Sequence, residues 1–258
     1  MMAQPLLSVR DMTHTWDGVH GCRDINFDLY PGEVLCVVGE SGSGKSTLLQ
    51  AVSYQVQPAQ GSVWYDTRAS GFVDLNELTA AERRLLARTD WGFVRQNARD
   101  GLRMQVSAGA NIAERLMAVG DRHYGELRSV AGNWLEKMEI DVTRLDDAPA
   151  QFSGGMQQRL QIARNLVTHP RLVFMDEPTA SLDVSVQARL LDLLRQLVAD
   201  LNLAAVVVTH DLAVARLLAH RTLVMRGGLV VESGLTDQIL DDPQHAYTQL
   251  LVSSILQS

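Results

Sequence analysis

Apolar and polar positions along this chain follow two different periods. Ile25, Phe27 and Leu29 alternate with polar neighbours, Pro31-Gly32 turns the chain, and Val34 to Val38 is an unbroken apolar run. Such a run, followed by glycines and then by helical spacing, predicts a central strand buried on both faces. Leu172 to Met175 and Ala204 to Val208 are two more runs of this kind. Between them Leu190, Leu194, Leu197, Val198 and Leu201 share one face of an amphipathic helix. Strands alternating with helices predict a mostly parallel α/β sheet. From about Asn97 to Ala150 the period changes. Ile112 and Leu116, then Val130, Trp134 and Met138, fall at helical spacing with no strand run, which predicts a helical insertion. Near the end, Leu223 to Met225 and Leu229 to Val231 flank Arg226-Gly227-Gly228, a hairpin signal.

With 258 residues, the chain has room for one generous domain or one domain with an inserted subdomain. Hydrophobic residues at 46% and charged residues at 21% exclude a disordered or rod-like chain. The net charge of −7 provides no global basic field, so direct nucleic-acid binding is not expected. A local phosphate site needs only a few donors and remains open. Lys45 and Lys137 are the only lysines among the 23 basic residues, which draws attention to position 45. Cys22 and Cys36 form no CxxC pair, and the seven histidines lack metal-ligand spacing. Met1 to Arg10 shows no secretion signal, and no apolar run approaches bilayer length. The expectation is a soluble cytoplasmic protein without a transmembrane segment of its own.

The chemistry concentrates in two places. Gly39-Glu40-Ser41-Gly42-Ser43-Gly44-Lys45-Ser46 matches GxxxxGK[ST] between a strand and a helix. Its glycines let backbone N–H groups wrap phosphates, and the helix N-terminus adds positive potential. In this pattern Lys45 reaches the β- and γ-phosphates and Ser46, followed by Thr47, ligates Mg²⁺. A chance match somewhere in such a chain has a probability on the order of one per cent. Leu172 to Glu177 is an apolar strand ending in two carboxylates. Asp176 is expected in the Mg²⁺ shell and Glu177 as the group that polarises an attacking water. Adjacent strand residues point opposite ways, so this division requires the chain to leave the strand here, which Pro178 favours. Alone, such a pair is an ordinary solvated turn.

Phe152-Ser153-Gly154-Gly155-Met156-Gln157, about twenty residues before that strand, resembles the signature motif of ATP-binding cassette (ABC) ATPases. Gln96 falls where this family has its Q-loop glutamine, Ser181-Leu182-Asp183 resembles its D-loop, and His210 resembles its switch histidine. Trp16 falls where the family stacks an aromatic on adenine. The resemblance implies a P-loop NTPase cassette: a RecA-like parallel-sheet core, an antiparallel β subdomain and a helical insert. It places a single ABC domain over 5–255, with the helical subdomain at about 97–158. It implies ATP and Mg²⁺ as ligands. The nucleotide contacts would be Trp16, Gly39, Ser41, Gly42, Gly44, Lys45, Ser46 and Thr47, with Ser46, Gln96 and Asp176 on the metal and Glu177, His210 and Gln96 in catalysis. The site would be composite, each nucleotide capped by Ser153, Gly154 and Gly155 of a second subunit, with Asp183 at the seam. A homodimer is expected. Two departures stand out: Met156 replaces the usual glutamine, and Trp16 the usual tyrosine.

Only 107 residues lie between Lys45 and Ser153, too few for the coiled-coil arms of DNA-repair ATPases. The signature and the ending His245-Ala246-Tyr247-Thr248-Gln249-Leu250-Leu251 resemble oligopeptide and dipeptide importer ATPases. Those usually continue with a cysteine-bearing tail, whereas this chain stops at Ser258. The stronger resemblance is to the ATP-binding subunits of bacterial phosphonate carbon–phosphorus lyase systems. It includes the Asp100-to-Gly125 segment and implies a soluble lyase core as partner. A peptide or solute importer is the alternative. Arg83, Arg84, Arg88, Arg95, Arg99 and Arg103 cluster around Gln96 in an otherwise acidic chain. They read as a docking surface, or more plainly as a solvated face paired with Asp90, Asp100 and Glu114.

Overall fold

The structure is a computed structural model and describes residues 4–180 and 182–255. The chain opens with β1 (Leu7–Thr15), β2 (Gly21–Leu29) and β3 (Val34–Val38), then enters helix α1 (Lys45–Val52). It continues through β4 (Gln60–Thr67), β5 (Gly71–Asp74) and α2 (Ala80–Thr89) to β6 (Trp91–Val94). Four helices follow: α3 (Ala98–Gly101), α4 (Ala108–Ala118), α5 (Tyr124–Lys137) and α6 (Gly154–Leu166). The chain then alternates β7 (Leu172–Asp176), α7 (Val184–Leu201), β8 (Ala204–Thr209) and α8 (Leu212–Leu218). It closes with the hairpin β9 (Arg221–Arg226) and β10 (Leu229–Leu235), then α9 (Thr236–Asp241) and α10 (Ala246–Ile255).

Two sheets result. One is antiparallel with order β2-β1-β4-β5, and the other has six strands in the order β10-β9-β3-β8-β7-β6. Within the larger sheet every pairing is parallel except β9 with β10. The three apolar runs form adjacent strands β3, β8 and β7, as a two-face-buried pattern requires.

Strand β3 divides the interior because successive side chains leave it on opposite faces. Val34, Cys36 and Val38 enter a core with Ile112, Trp134 and Leu160 from the helices. Leu35 and Val37 enter a second core with Ile25, Leu29, Val63 and Tyr65 from the antiparallel sheet. All five residues are buried, at about 1.5–3 kcal/mol for each full-sized aliphatic side chain. Burial also pushes the Cys36 thiol far above its usual value, so it is an inert packing group.

Asp90, 2% exposed, joins the two sheets. It accepts from the Tyr65 hydroxyl on β4 at 2.6 Å, from Arg68 at 2.6 Å and from Arg171 at 3.1 Å, just before β7. This corrects the expected pairing of Asp90 with the Q-loop arginines. Within that group, Arg83 donates to the Leu75 and Leu78 carbonyls, and Arg103 pairs with Glu114 at 2.7 Å. Arg84, Arg88, Arg95 and Arg99 are exposed.

Candidate functional site

Strand β3 ends at Val38 and α1 begins at Lys45, so six residues must reverse the chain above the sheet. Gly39, Gly42 and Gly44 all have positive φ. Gly44 is fixed by space as well: a Cβ there would lie 2.2 Å from the Gly21 carbonyl oxygen. The loop borders a cleft of about 660 Å³ whose walls include Trp16, Gly39, Ser41, Gly42, Gly44, Lys45, Ser46, Thr47, Gln96, Glu177 and His210. Eleven of the residues singled out from sequence are therefore brought to one place.

Lys45 donates from Nζ to the Gly39 and Glu40 carbonyls at 2.7 and 2.8 Å, folded back on its own loop. Burial lowers the pKa of its ammonium, against the opposing pull of Glu177, Asp176 and Glu40. The Ser43 hydroxyl is buried in the same loop without a partner. An arriving polyanion would give the lysine its partner, so the loop fits a phosphate chain.

Asp176 ends β7, and Ser46 donates to its Oδ1 at 3.2 Å. Burial pushes the Asp176 carboxyl above its usual value, and the Ser46 bond only partly opposes this. The Ser46 hydroxyl and the half-buried Asp176 carboxylate are hard-oxygen donors of the kind Mg²⁺ takes, and Gln96 lines the same cleft as Ser46.

The chain does leave the strand after Asp176. Glu177 has φ of +45°, and its carboxylate is held from two sides. Thr209 donates to Oε2 at 3.0 Å, and His210 Nδ1 lies 2.8 Å from Oε1. Both partners belong to β8 or the residue after it, the neighbour of β7 in the sheet. Parallel pairing of these strands thus sets the Glu177–His210 geometry. Trp16 is 58% exposed, so its indole face is open for stacking, and its Nε1 donates to Thr47 at 3.2 Å.

The signature residues stand elsewhere. Ser153 caps α6 by accepting from the Met156 N–H at 3.3 Å, and no atom lies within 4 Å of a Cβ built on Gly154. Gly155 has a packing role as well. It is buried, and a Cβ there would lie 2.7 Å from Val186 Cγ1, so its bareness lets α6 pack on the first turns of α7. Asp183 is exposed at the N-cap of α7 without a capping bond, and Ser181 lies outside the described residues.

The body of α6 connects this end to Gln96. Asn165 Oδ1 accepts the Phe93 N–H at 3.0 Å, Gln161 Oε1 accepts the Arg95 N–H at 2.6 Å, and Gln161 Nε2 donates to the Arg95 carbonyl at 3.1 Å. Three cleft residues went unread in the sequence: His20, Gly21 and Leu251. His20 and Gly21 carry no local motif, and Leu251 arrives from α10 within a run read only for its resemblance to importer ATPases.

A phosphate loop, a carboxylate pair at the end of one strand with a histidine from its neighbour, and a separate Ser-Gly helix end together define a cassette ATPase. Residues 22–180 match the ABC transporter family, and the chain belongs to that family as an ATP-binding subunit. It is 65% identical over 257 residues, 100% of both chains, to an Escherichia coli (strain K12) protein named for phosphonates utilization, the ATP-binding protein PhnK. It is 35% identical over 242 residues to the glutathione import ATP-binding protein GsiA of Escherichia coli O157:H7, covering 91% of this chain and 39% of that protein. Among solved structures, the dimeric bacterial ABC transporter cassette MJ0796 matches with a TM-score of 0.80 at 30% identity, over 89% of this chain and 98% of that one. A dimeric post-hydrolysis state of MJ0796 bound to ADP and Pi matches with a TM-score of 0.78 at 28% identity, over the same shares.

Proposed function

We propose that this chain is the ATP-hydrolysing subunit of a phosphonate carbon–phosphorus lyase system, acting in the cytoplasm as a homodimer on a soluble lyase core. The observation that carries the reading is the 65% identity to the phosphonates-utilization protein over the full length of both chains.

In this reading Lys45 leaves the Gly39 and Glu40 carbonyls for the β- and γ-phosphate oxygens. The loop amides from Gly39 to Thr47 hold the remaining phosphate charge, and Trp16 stacks on the base. Ser46, Asp176 and Gln96 would hold Mg²⁺, which supplies charge neutralisation on the β- and γ-oxygens. Glu177 accepts a proton from the attacking water as its oxygen bonds to the γ-phosphorus and the bond to the ADP oxygen breaks. His210, oriented by Glu177, offers its second ring nitrogen to the γ-phosphate. Ser153 and the α6 amides of a second copy cap the phosphate from the opposite side, and Asp183 lies at the seam.

The chain would not cut the carbon–phosphorus bond itself, since two buried cysteines are too few for an iron–sulfur cluster. Its work would be mechanical: cassette closure on ATP reshapes the partner and hydrolysis resets it. Exposed Arg84, Arg88, Arg95 and Arg99 are the docking candidates. A solute importer is the second reading, favoured by the 35% identity to the glutathione import protein. Affinity capture of Glu177→Gln with ATP from phosphate-starved cells separates the two. Soluble lyase subunits support the proposal, and a polytopic permease with a solute-binding protein overturns it.

A further inference from the structure

The phosphate loop is held from behind by a part of the chain that its motif does not include. Glu40, the second loop residue, donates its backbone N–H to the Tyr247 hydroxyl at 3.1 Å, across 207 positions of sequence. Tyr247 is 3% exposed in the first turn of α10, and the Arg226 guanidinium lies 4.9 Å from its ring centroid. The entry to α10 is pinned in turn. Glu232 accepts the Gln244 and His245 N–H groups at 2.7 and 3.1 Å, and His245 Nδ1 accepts the Tyr247 N–H at 3.1 Å. One turn further, on the same helix face, Leu251 reaches the nucleotide cleft. On the loop's other side, a Cβ on Gly39 would lie 2.2 Å from the Met225 carbonyl oxygen. The first two loop residues are therefore held between β9 and α10. Their carbonyls are the two on which Lys45 rests.

We propose that Tyr247 is a positioning residue for the phosphate loop. Its hydroxyl fixes the Glu40 amide, and through it the placement of the loop carbonyls and of Lys45, in the geometry that receives the triphosphate. This rests on the ATPase reading of the cleft and adds the C-terminal helix to it. The Glu40 amide is only part-buried, so without the hydroxyl it can turn toward water, which should loosen the loop while the ring keeps its packing.

The test is Tyr247→Phe in the full chain, read by Mg-ATP affinity, kcat and nucleotide-free melting temperature. Affinity should fall about fivefold while kcat at saturating ATP and the melting temperature barely change. Glu40→Pro removes the donor itself. Glu40 is not among the positive-φ residues, so the negative φ of proline is admissible there. In the Glu40→Pro background Tyr247→Phe should no longer alter affinity. An unchanged affinity for Tyr247→Phe overturns the proposal, as does an equal loss in both backgrounds, because the ring would then act only through helix packing. Hydrogen exchange gives a reading independent of the proline variant. Tyr247→Phe should speed exchange in the loop peptide and leave α10 unchanged; equal loop rates, or faster exchange in both, overturn it. Failure of the wild-type chain to bind ATP would instead count against the ATPase reading.

Discussion

Two helices of this molecule begin in Ser/Gly-rich loops, and they end up in opposite situations. The N-terminus of α1 opens into a walled cleft lined by Lys45, Glu40, Glu177, His20, His210 and Trp16. The N-terminus of α6 offers Ser153 and Gly154 to open space. Both ends have free N–H groups and the positive end of a helix dipole, so both suit an anion. Only one has the groups that would do chemistry on it. In the proposed reading, this bare helix end, beside an exposed Asp183 and a Val184 that is 85% exposed, is half of a site. Solved cassettes of the same fold include dimers, and the proposed second half is another copy of this chain.

Substitutions on either side break this comparison to different degrees. Glu177→Gln should lower kcat about 100-fold or more while ATP affinity stays within about threefold, in steady-state and equilibrium assays. An equal loss of affinity would mean that Glu177 shapes the cleft rather than activating water. Gly154→Asp places a carboxylate in open space, so melting temperature and ATP binding to the isolated chain should hold. Turnover should fall about tenfold or more because like charges meet on dimer closure. Normal turnover would show that the α6 end caps nothing. Gly155→Ala is different in kind. Its Cβ meets Val186, so the chain should lose about 1–3 kcal/mol of stability in denaturant titration, and Val186→Ala should recover most of it.

Asp176 sharpens the contrast through pH. Its folded pKa is raised by burial, so its stabilising contribution is complete below the unfolded value near 3.8 and is lost as pH rises through the folded value. At neutral pH the buried charge is therefore a cost. Asp176→Asn should raise the nucleotide-free melting temperature while turnover collapses; a lowered melting temperature would refute this. The smallest effect belongs to Trp16→Phe, which keeps a stacking face and loses the bond to Thr47. ATP affinity should weaken about two- to threefold, measured by titration calorimetry.

Local pattern carried the parallel core and the phosphate loop, because both are written in consecutive residues. The first fifty residues read as strands, but the bounds of β1 were not legible. Asp11 turns to φ of +49° and the pairing with β2 shifts register there, so inside–outside alternation breaks in mid-strand. Strands β4 and β5 were missed for another reason: β4 buries only Val63 and Tyr65, and Trp64 stacks on Phe72 outside the second core. The Glu177 turn was legible through Pro178, but its histidine partner depended on which strands pair. Gly155 facing Val186, Tyr247 facing Glu40 and Leu251 in the cleft are contacts between distant segments, for which no short pattern exists. The arginine cluster was visible as charge, and its division into exposed and internally bonded members was not.

The amide side chains of α6 have a further effect at the rim of the large sheet. Strand β6 is its terminal strand, and Asn165 and Gln161 bond the backbone groups of Phe93 and Arg95 that no neighbouring strand takes. An open rim of this kind is a template on which a foreign strand can add, the first step toward fibrous association. Here two side chains imitate the missing strand and occupy the template. This steers copies of the chain away from sheet extension. Asn165→Val would leave the Phe93 amide open, and its first symptom should be turbidity on storage rather than a slower enzyme.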